Sequence, residues 1–259
     1  MRKWLLIVFL VVFVQTGFGQ KIIPFLPERQ AETAVIVCSG GSYFWPANKT
    51  ESDSVARSLR AQGIAAYVLH YRVGGIFPFI THSRLIFPGH HYPMPLDDLR
   101  QAIDSVRRAG YKRVGVMGFS AGGHLALAAA LFNKGEQRPD FVAPCYPVVT
   151  MREPYVHKRS RRGLLGEYKK ASRTMQDSLS LELHVTSDCP PVFLMNCVDD
   201  PIVDYHNSVL MDSALTAHHV PHRYIQYQTG GHGFGTTWSK TSKEASGWLD
   251  AFLAWLREK

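Results

Sequence analysis

The chain has 259 residues, of which 46% are hydrophobic and 19% are charged, and its formal net charge is +8. This length and apolar content suffice for a substantial core, and α/β folds of this size commonly form one domain, so we expect no second domain. The basic residues are spread along the chain without a nucleic-acid motif, which argues against a nucleic-acid partner.

The N-terminus has the pattern of a secretory signal. A basic start, Met1-Arg2-Lys3, precedes an apolar run from Trp4 to Val14 and a stretch of small and polar residues that ends at Gly19. The apolar run is short for about 30 Å of hydrocarbon, which disfavours its competitor, a transmembrane anchor. We therefore predict a cleaved signal over residues 1–19, a single domain over residues 20–259, a secreted or periplasmic location and no membrane insertion after cleavage.

Strand and helix patterns alternate along the rest of the chain. Short apolar, β-branched runs predict strands, and apolar residues at helical spacing predict helices. The predicted strands are Thr33–Cys38, Ala65–Tyr71, a strand around Val114–Met117, Phe141–Tyr146, Val192–Cys197 and Arg223–Tyr227. The predicted helices are Ser54–Gln62, Leu96–Ala109, Ala121–Phe132, about Tyr205–His218 and Lys243–Arg257. This alternation predicts an α/β fold with an open, mostly parallel central sheet and helices on both faces.

The stretch Gly118-Phe119-Ser120-Ala121-Gly122 joins a predicted strand directly to a predicted helix. The G-x-S-x-G pattern in this context is typical of a nucleophile elbow, a tight turn that presents a serine hydroxyl above the edge of a sheet. The glycines two positions before and after the serine remove side chains that would collide there. A chance match in a glycine-rich loop is the alternative. We predict that Ser120 is a nucleophile.

A serine hydroxyl is a poor nucleophile at neutral pH unless a histidine takes its proton and an acid orients that histidine. His232 lies in the glycine-rich loop Thr229–Phe234 directly after the last predicted strand, so we predict that it is the base. The acid should follow the preceding strand, where Asp199 and Asp200 compete; spacing favours Asp200 and leaves both open. We expect Asp204 at the N-terminus of the next helix, where a carboxylate offsets unpaired amides.

A tetrahedral intermediate of acyl transfer needs hydrogen-bond donors for its oxyanion. The amide after the nucleophile, that of Ala121, is one candidate. The others are the amides of Gly41 and Ser42 in the loop Ser39–Tyr43, where adjacent glycines let the backbone turn both amides towards one point. A simple turn after the strand is the alternative interpretation of this loop.

Four cysteines are few for a disulfide-stapled fold, even in an exported protein. Cys189 and Cys197 flank residues 190–196, and a strand at about 3.3 Å per residue would hold them too far apart to pair. Cys38 and Cys145 end apolar segments and are expected to be buried. The sequence contains no CxxC metal spacing, and we expect neither a metal nor an organic cofactor.

Two further segments are long or charged enough to need an interpretation. The basic run His157–Arg162 is expected to be a solvated loop or a helix start rather than a polyanion site. The aromatic loop Val73–Tyr92 leaves the carboxyl end of a predicted strand, the edge where α/β sheets bind ligands. A lip that lines a substrate site and a merely packed loop are both consistent with this position.

Several motifs are more specific together than any one alone. They are CSGGSY at residues 38–43, HYR at 70–72, YPMPLDD at 92–98, GFSAGGH at 118–124, RRGLLG at 161–166, PPVFL at 190–194, DPIV at 200–203 and GHGF at 231–234. From about residue 31 to 257 the chain resembles the α/β-hydrolase fold without a large cap domain. Within that fold it resembles the small secreted esterases that are similar to acetyl-xylan esterases and the hormone-sensitive-lipase group.

The resemblance implies roles for individual residues. Ser120 would be the nucleophile, His232 the base and Asp200, rather than Asp199, the acid. The family commonly has a third glycine where this chain has Ser42. Other matched residues are expected to be structural: Tyr71, Arg72 and Asp98 would tie the early strand to the elbow helix, and His124 would pack on that helix.

The resemblance also implies a secreted serine carboxylesterase that hydrolyses short acyl esters through an acyl-enzyme, and most specifically one that deacetylates xylan or a related plant polysaccharide. Its partners would be an acetylated oligo- or polysaccharide or another small ester. Two alternatives stay open. One is a serine peptidase of the prolyl-oligopeptidase type, although the chain has no room for an added propeller domain. The other is a non-catalytic binding module with a hydrolase fold.

Overall fold

The computed structural model of the protein describes residues 20–45, 49–81 and 89–259. The predicted signal over residues 1–19 and the central part of loop Val73–Tyr92 lie outside the described residues. The strands are β1 Lys21–Phe25, β2 Thr33–Cys38, β3 Ala65–His70, β4 Arg113–Phe119, β5 Phe141–Cys145, β6 Val192–Cys197 and β7 His222–Tyr227. The helices are α1 Asp53–Ala61, α2 Ile76–Thr81, α3 Met94–Arg108, α4 Ala121–Phe132, α5 Lys158–Lys169, α6 Arg173–Ser178, α7 His206–Ala217 and α8 Trp248–Arg257.

Seven strands of the described ranges form one sheet in the order β1-β3-β2-β4-β5-β6-β7. Strands β2 to β7 pair in parallel with their neighbours, and β1 pairs antiparallel with β3 at the edge. Central strand β2 places Val35 between Ala66 of β3 and Gly115 of β4. The predicted α/β fold with a mostly parallel sheet is confirmed.

Strand β2 shows why both faces of the sheet are covered. Ala34, Ile36 and Cys38 belong to one core and Val35 and Val37 to the other, and all five are fully buried. Helices α3, α4 and α7 pack on the first face, and α1 and α8 pack on the second. Helix α4 is apolar on all sides and is buried along almost its whole length, as such a composition requires.

The parallel order brings the carboxyl ends of β2, β4, β5, β6 and β7 to one edge of the sheet. The chain leaves this edge through five segments. They contain Ser39–Trp45, Ser120, Tyr146, Asp199 with Asp200, and His232. Residues far apart in sequence therefore meet at one place because of strand order alone.

All four cysteines are buried free thiols. Cys189 precedes β6 and Cys197 ends it, and the two do not pair, as the length of the strand predicts. Cys38 and Cys145 end β2 and β5 and are fully buried, as predicted. Burial raises the pKa of every thiol, and those of Cys189 and Cys197 rise to about 12.

Some elements differ from the sequence predictions. Strand β1 was not predicted: Pro24 interrupts its apolar residues, and as an edge strand it has one neighbour and no fully buried side chain. Helix α8 begins at Trp248 rather than Lys243, because Ala245–Gly247 forms a separate 3-10 turn. The run His157–Arg162 opens α5, the helix start that was one of its two expected forms. Within the described ranges, every helix is too short or too polar to cross a bilayer.

Candidate active site

Ser120 occupies a strained turn between β4 and α4. Its φ of 54° and ψ of −118° are unusual for a residue with a side chain, and such strain persists only where the surroundings impose it. A Cβ atom on Gly118 would overlap the backbone of Gly122, and one on Gly122 would overlap the carbonyl of Cys38. The Ser120 amide donates to the carbonyl of Cys145 on the next strand, at 3.0 Å. The turn therefore has the geometry of a nucleophile elbow.

His232 and Asp200 form a hydrogen-bonded pair at the same edge of the sheet as this elbow. The distance from His232 Nδ1 to Asp200 Oδ2 is 2.6 Å, and the Asp200 side chain is 1% exposed. The other carboxylate oxygen accepts the amides of Ile202 and Val203 at 2.8 and 3.0 Å. Because an ionised carboxylate only accepts, Nδ1 carries the ring proton, which leaves Nε2 free to receive one.

The neighbouring carboxylate has a different set of partners. Asp199 accepts the amides of Gly230 and Gly231, at 3.2 and 2.8 Å, and so holds the loop that carries His232. This loop needs glycine, because Gly230, Gly231 and Gly233 all have positive φ. Of the two candidates that spacing left open, Asp200 contacts the imidazole of His232. Asp199 contacts backbone amides of the loop that carries His232.

Residues Ser39–Trp45, hereafter the 39–45 loop, follow β2 and pass next to Ser120. A Cβ on Gly40 would lie 2.9 Å from the Cβ of Ser120. Gly41, Ser42 and Tyr43 have φ values of 124°, 54° and 61°, so two residues with side chains adopt the left-handed conformation here. The carbonyl of Gly41 accepts the amides of Phe44 and Trp45 at 2.9 and 3.0 Å, which closes a tight turn.

The three predicted oxyanion donors share one property. Across residues 20–45, 49–81 and 89–259, the amides of Gly41, Ser42 and Ala121 donate to no acceptor of the chain. Ala121 is the first residue of α4, where helical amides have no partner within the helix. An amide without a chain acceptor can donate to an oxygen atom of a ligand, so all three amides stay candidates for this role.

Two residues at the site were not singled out by the sequence. Glu51 is 2% exposed and accepts the amide of Gly40 at 2.9 Å and the hydroxyl of Tyr146 at 3.1 Å. The Tyr146 ring lies 4.7 Å from the His232 ring, centre to centre. Glu51 lies in a polar stretch that is typical of a helix start, and Tyr146 ends an apolar strand, so neither carried a local signal.

His157 is a further neighbour of the site that was missed, since the sequence offers only a basic run around it. Its Nδ1 lies 2.8 Å from the hydroxyl oxygen of Ser160. Burial, together with the charges of Arg159 and His232, lowers the pKa of His157 to about 4. The His157 side chain is therefore neutral at physiological pH beside the His232–Asp200 pair.

The residues expected to be structural have structural contacts, with one correction. Asp98 binds Arg72 through the guanidinium, with a shortest distance of 2.6 Å, but Asp98 lies on α3, so it ties the end of β3 to α3 and not to the elbow helix α4. The Tyr71 hydroxyl donates to the carbonyl of Ser39 at 2.8 Å. His124 on α4 contacts the Tyr43 hydroxyl at 2.9 Å.

The described parts of loop Val73–Tyr92 pack against the 39–45 loop and α5. The Phe79 ring lies edge-on to those of Phe44 and Trp45, with centres 5.2 and 4.6 Å apart. Arg162 of α5 sits over Phe44 and Phe79, so this member of the basic run is not solvated as a loop residue would be. Both interpretations of loop Val73–Tyr92 remain predictions, because its centre lies outside the described residues.

Asp204 accepts the amide and side chain of His206 at the start of α7, the place expected for it. No group of three or more His, Cys, Asp or Glu side chains suited to a metal ion occurs in the described ranges. The groups at the carboxyl ends of the parallel strands are a hydroxyl, an imidazole, carboxylates and backbone amides. This set of groups suits nucleophilic acyl chemistry.

The sheet order, the elbow and the chain order Ser, Asp, His place the protein in the class of α/β hydrolases. A family model described as alpha/beta hydrolase fold matches residues 86–236, and the chain belongs to this family.

Named relatives narrow this class. The chain is 31% identical over 232 residues to an acetylxylan esterase of Xylanibacter ruminicola, a match that covers 85% of this chain and 45% of the relative. It is 29% identical over 237 residues to endo-1,4-beta-xylanase B of Butyrivibrio fibrisolvens, covering 84% of this chain and 35% of the relative. The chain thus spans less than half the length of these curated relatives.

One solved structure is similar to this chain over nearly the whole length of both proteins. The acetyl ester-xyloside bifunctional hydrolase from Caldicellulosiruptor lactoaceticus superposes with a TM-score of 0.78 at 30% identity, covering 93% of this chain and 89% of that one. The similarity to acetyl-xylan esterases that the sequence motifs indicate is confirmed by these relatives.

Proposed function

We propose that the chain is an exported serine carboxylesterase that hydrolyses short acyl esters and removes acetyl groups from xylan or a related plant polysaccharide. The hydrogen bond of 2.6 Å between His232 and Asp200, at the same edge of the sheet as Ser120 on its strained elbow, carries the chemical part of the proposal. The similarity to an acetylxylan esterase and to an acetyl ester-xyloside hydrolase supports the choice of substrate.

The reaction proceeds in two halves. Ser120 Oγ adds to the ester carbonyl carbon while Nε2 of His232 takes its proton, and Asp200 stabilises the imidazolium that forms. His232 then gives this proton to the departing alcohol oxygen, and the acyl group stays on Ser120. In the second half a water molecule replaces the alcohol, its proton passes to His232, and the acid leaves as Ser120 is restored.

The negative oxygen of each tetrahedral intermediate is stabilised by the amides of Gly41, Ser42 and Ala121. Amides of a rigid backbone need no reorganisation at the moment of reaction, so each contributes strongly. Loss of one such donor typically costs about 10² to 10³ in turnover. Backbone donors explain why Ser42 can stand where relatives have glycine, since the amide is the same.

The purified chain is assayed with 4-nitrophenyl acetate, 4-nitrophenyl octanoate and acetylated xylan, beside Ser120→Ala and, as a matched control, the surface variant Ser105→Ala. We expect acetate release from xylan and from the short ester, lost in Ser120→Ala and kept in Ser105→Ala. Hydrolysis of the short ester alone would contradict the polysaccharide substrate. Cleavage of a prolyl peptide instead would favour the peptidase alternative, and inactivity on every substrate the binding module.

The two adjacent carboxylates give a sharper test of the assigned roles. Asp200→Asn places an amide against Nδ1 and favours the wrong imidazole tautomer, so kcat should fall by about 10³ to 10⁴. Asp199→Asn keeps one acceptor for the Gly230 and Gly231 amides, and we expect kcat to fall by about 10-fold or less. Steady-state kinetics on 4-nitrophenyl acetate compare the two. Equal losses would mean that Asp200 has no special part.

Export is proposed on the sequence of residues 1–19. Expression of the whole chain in a bacterial host, followed by fractionation and intact-mass measurement, tests it. We expect a periplasmic or extracellular product whose mass lacks residues 1–19. A full-length product retained in the membrane fraction would support the anchor instead.

A further inference from the structure

Glu51 is a buried carboxylate that hydrogen-bonds two segments of the proposed site, the 39–45 loop and Tyr146. It precedes α1 and is 2% exposed. A buried carboxylate destabilises a fold unless its oxygens accept hydrogen bonds. The groups that donate to Glu51 therefore explain why it can be buried here.

The first contact fixes the 39–45 loop. Glu51 Oε2 accepts the amide of Gly40 at 2.9 Å, and a Cβ on Gly40 would lie 2.8 Å from this oxygen. The amides that follow, those of Gly41 and Ser42, are left without chain acceptors in the described ranges. The Glu51 carboxylate thus holds the amide of Gly40, directly before the donor amides of Gly41 and Ser42. It fixes the direction of the backbone at the point where these two residues follow.

The second contact reaches the segments of the nucleophile and the base. Glu51 Oε1 accepts the hydroxyl of Tyr146, whose neighbour Cys145 accepts the amide of Ser120. The Tyr146 hydroxyl in turn accepts the amide of Gly235, three residues after His232, at 3.1 Å. Burial, followed by the charge of Glu51, raises the pKa of Tyr146 well above its ordinary value, so the hydroxyl remains a donor.

The 39–45 loop needs such an anchor because it is strained. Three successive residues, Gly41, Ser42 and Tyr43, have positive φ, and two of them carry side chains. Left-handed backbone costs about 1 to 2 kcal/mol for such residues, and a loop of this kind relaxes when a restraint is lost. A small rotation of the loop would turn the donor amides away from the oxyanion, where geometry decides the rate.

We propose that Glu51 is a positioning residue that aligns the 39–45 loop with Ser120 and the His232 loop through its bonds to Gly40 and Tyr146. This inference rests on the proposed esterase function. It assigns to Glu51 no contact with substrate and no proton transfer, so its effect falls on the transition state rather than on substrate binding.

The experiment compares Glu51→Ala, Glu51→Gln and Tyr146→Phe in the full chain. Asp98→Ala is the matched control, since Asp98 is a buried carboxylate whose partner, Arg72, is none of the proposed site residues. Steady-state kinetics with 4-nitrophenyl acetate give kcat and KM. The affinity of a trifluoromethyl ketone, which forms a tetrahedral oxyanion with the serine, reports alignment of the donors. Hydrogen exchange of the peptide spanning residues 39–45 reports restraint of the loop, and thermal unfolding reports stability.

For Glu51→Ala we expect kcat to fall by about 30- to 100-fold with KM changed by less than about 3-fold. Affinity for the ketone should fall by a similar factor, and exchange in residues 39–45 should accelerate. Glu51→Gln keeps an acceptor for Gly40 and should recover most of the activity, and Tyr146→Phe, which removes one bond, should lose about 3- to 10-fold. Asp98→Ala should lower the unfolding temperature and keep kcat.

If Glu51→Ala does not fold, Glu51→Gln, Tyr146→Phe and the exchange measurement decide the question. The inference is overturned if the folded Glu51 and Tyr146 variants retain kcat and ketone affinity within about 2-fold and show unchanged exchange. It is also overturned if Asp98→Ala, at a similar loss of stability, loses as much kcat and ketone affinity as Glu51→Ala. Failure of the proposed esterase function would show instead as a wild-type chain without ester hydrolysis, or as hydrolysis that survives Ser120→Ala.

Discussion

The elbow Gly118–Gly122 and the 39–45 loop both hold residues with side chains at positive φ, but they are restrained differently. At the elbow the restraint is backbone against backbone, because Gly122 packs on the carbonyl of Cys38 and Gly118 on Gly122 itself. The 39–45 loop also has backbone contacts, since the Gly74 amide donates to the carbonyl of Tyr43 at 2.7 Å. In addition, it is held by side chains from elsewhere in the chain, those of Glu51 and Tyr71.

This difference determines which kind of backbone strain can be recognised from the sequence. Strain that is imposed by close backbone contact requires glycine at fixed spacing, so it leaves a pattern in the sequence. Strain that is imposed by distant side chains leaves no local pattern, and its residues are identified only once the fold brings them together. The two regions should also respond differently to substitution.

The largest effect is expected at the elbow. In Gly122→Ala the new methyl group overlaps the carbonyl of Cys38, and neither backbone can move without displacing β2 or α4. The free energy of unfolding should fall by about 3 kcal/mol. Urea unfolding of Gly122→Ala and of Gly247→Ala, whose new Cβ meets nothing within 4 Å, measures the difference. An unfolding midpoint equal to that of Gly247→Ala would contradict the close contact.

Acid should weaken the link between the two regions. His124 of α4 donates from Nε2 to the carbonyl of Leu179 at 3.0 Å, and its Nδ1 accepts the Tyr43 hydroxyl of the 39–45 loop. Burial lowers the pKa of His124 to about 4, whereas a histidine in the unfolded chain has a pKa of about 6.5. Between these values the unfolded chain binds a proton that the folded chain does not. The stability from this residue is therefore complete above about pH 6.5 and decreases by about 3 kcal/mol as the pH falls to 4.

Urea unfolding at pH 7.5, 5.5 and 4.5 tests this expectation, with His124→Gln as the comparison. The variant should be less stable than the wild type at pH 7.5 and should lose less stability on acidification, since it has no proton to take up at this position. Parallel losses in the two proteins would assign the pH dependence to other groups.

The smallest effect is expected in the 39–45 loop. Ser42→Gly removes the cost of a left-handed side-chain residue, about 1 kcal/mol, and adds unfolded-chain entropy worth about half of that. The free energy of unfolding should rise by about 0.5 kcal/mol, and kcat should stay within about 2-fold because the amide is unchanged. The exposed helical variant Ser105→Gly should change stability in the opposite direction. Destabilisation by Ser42→Gly would mean that the serine side chain itself holds the loop.

Much of the scaffold could be predicted because its elements have clear periods. Strands β2 and β6 and helix α4 begin and end where the sequence predicts, since each is an apolar run with flanking breaks. The pairing of His232 with Asp200 follows from motifs that lie at strand ends. Edge strand β1 and the short helices α2 and α6 were not predicted, because with 5, 6 and 6 residues they are too short to show a period.

The rest of the site depends on tertiary contacts. Glu51 and Tyr146 are 95 positions apart, and each is ordinary within its own segment. The motifs predict that Asp98 ties the early strand to the elbow helix, whereas it ties that strand to its own helix, α3. A matched motif shows that a carboxylate belongs to the family pattern and not which two elements it connects. The role of a residue that acts through partners distant in the sequence cannot be predicted from a local sequence pattern.

The buried thiols give the fold a further property. Cys38, Cys145 and Cys197 end three parallel strands below the site, and burial raises the pKa of each. Only the thiolate reacts quickly with alkylating reagents, so the folded chain is inert to them on two counts, access and ionisation. Labelling at these cysteines therefore requires the centre of the sheet to open. The protein therefore contains natural reporters of unfolding: after alkylation, mass spectrometry can read each of these strands without any introduced cysteine.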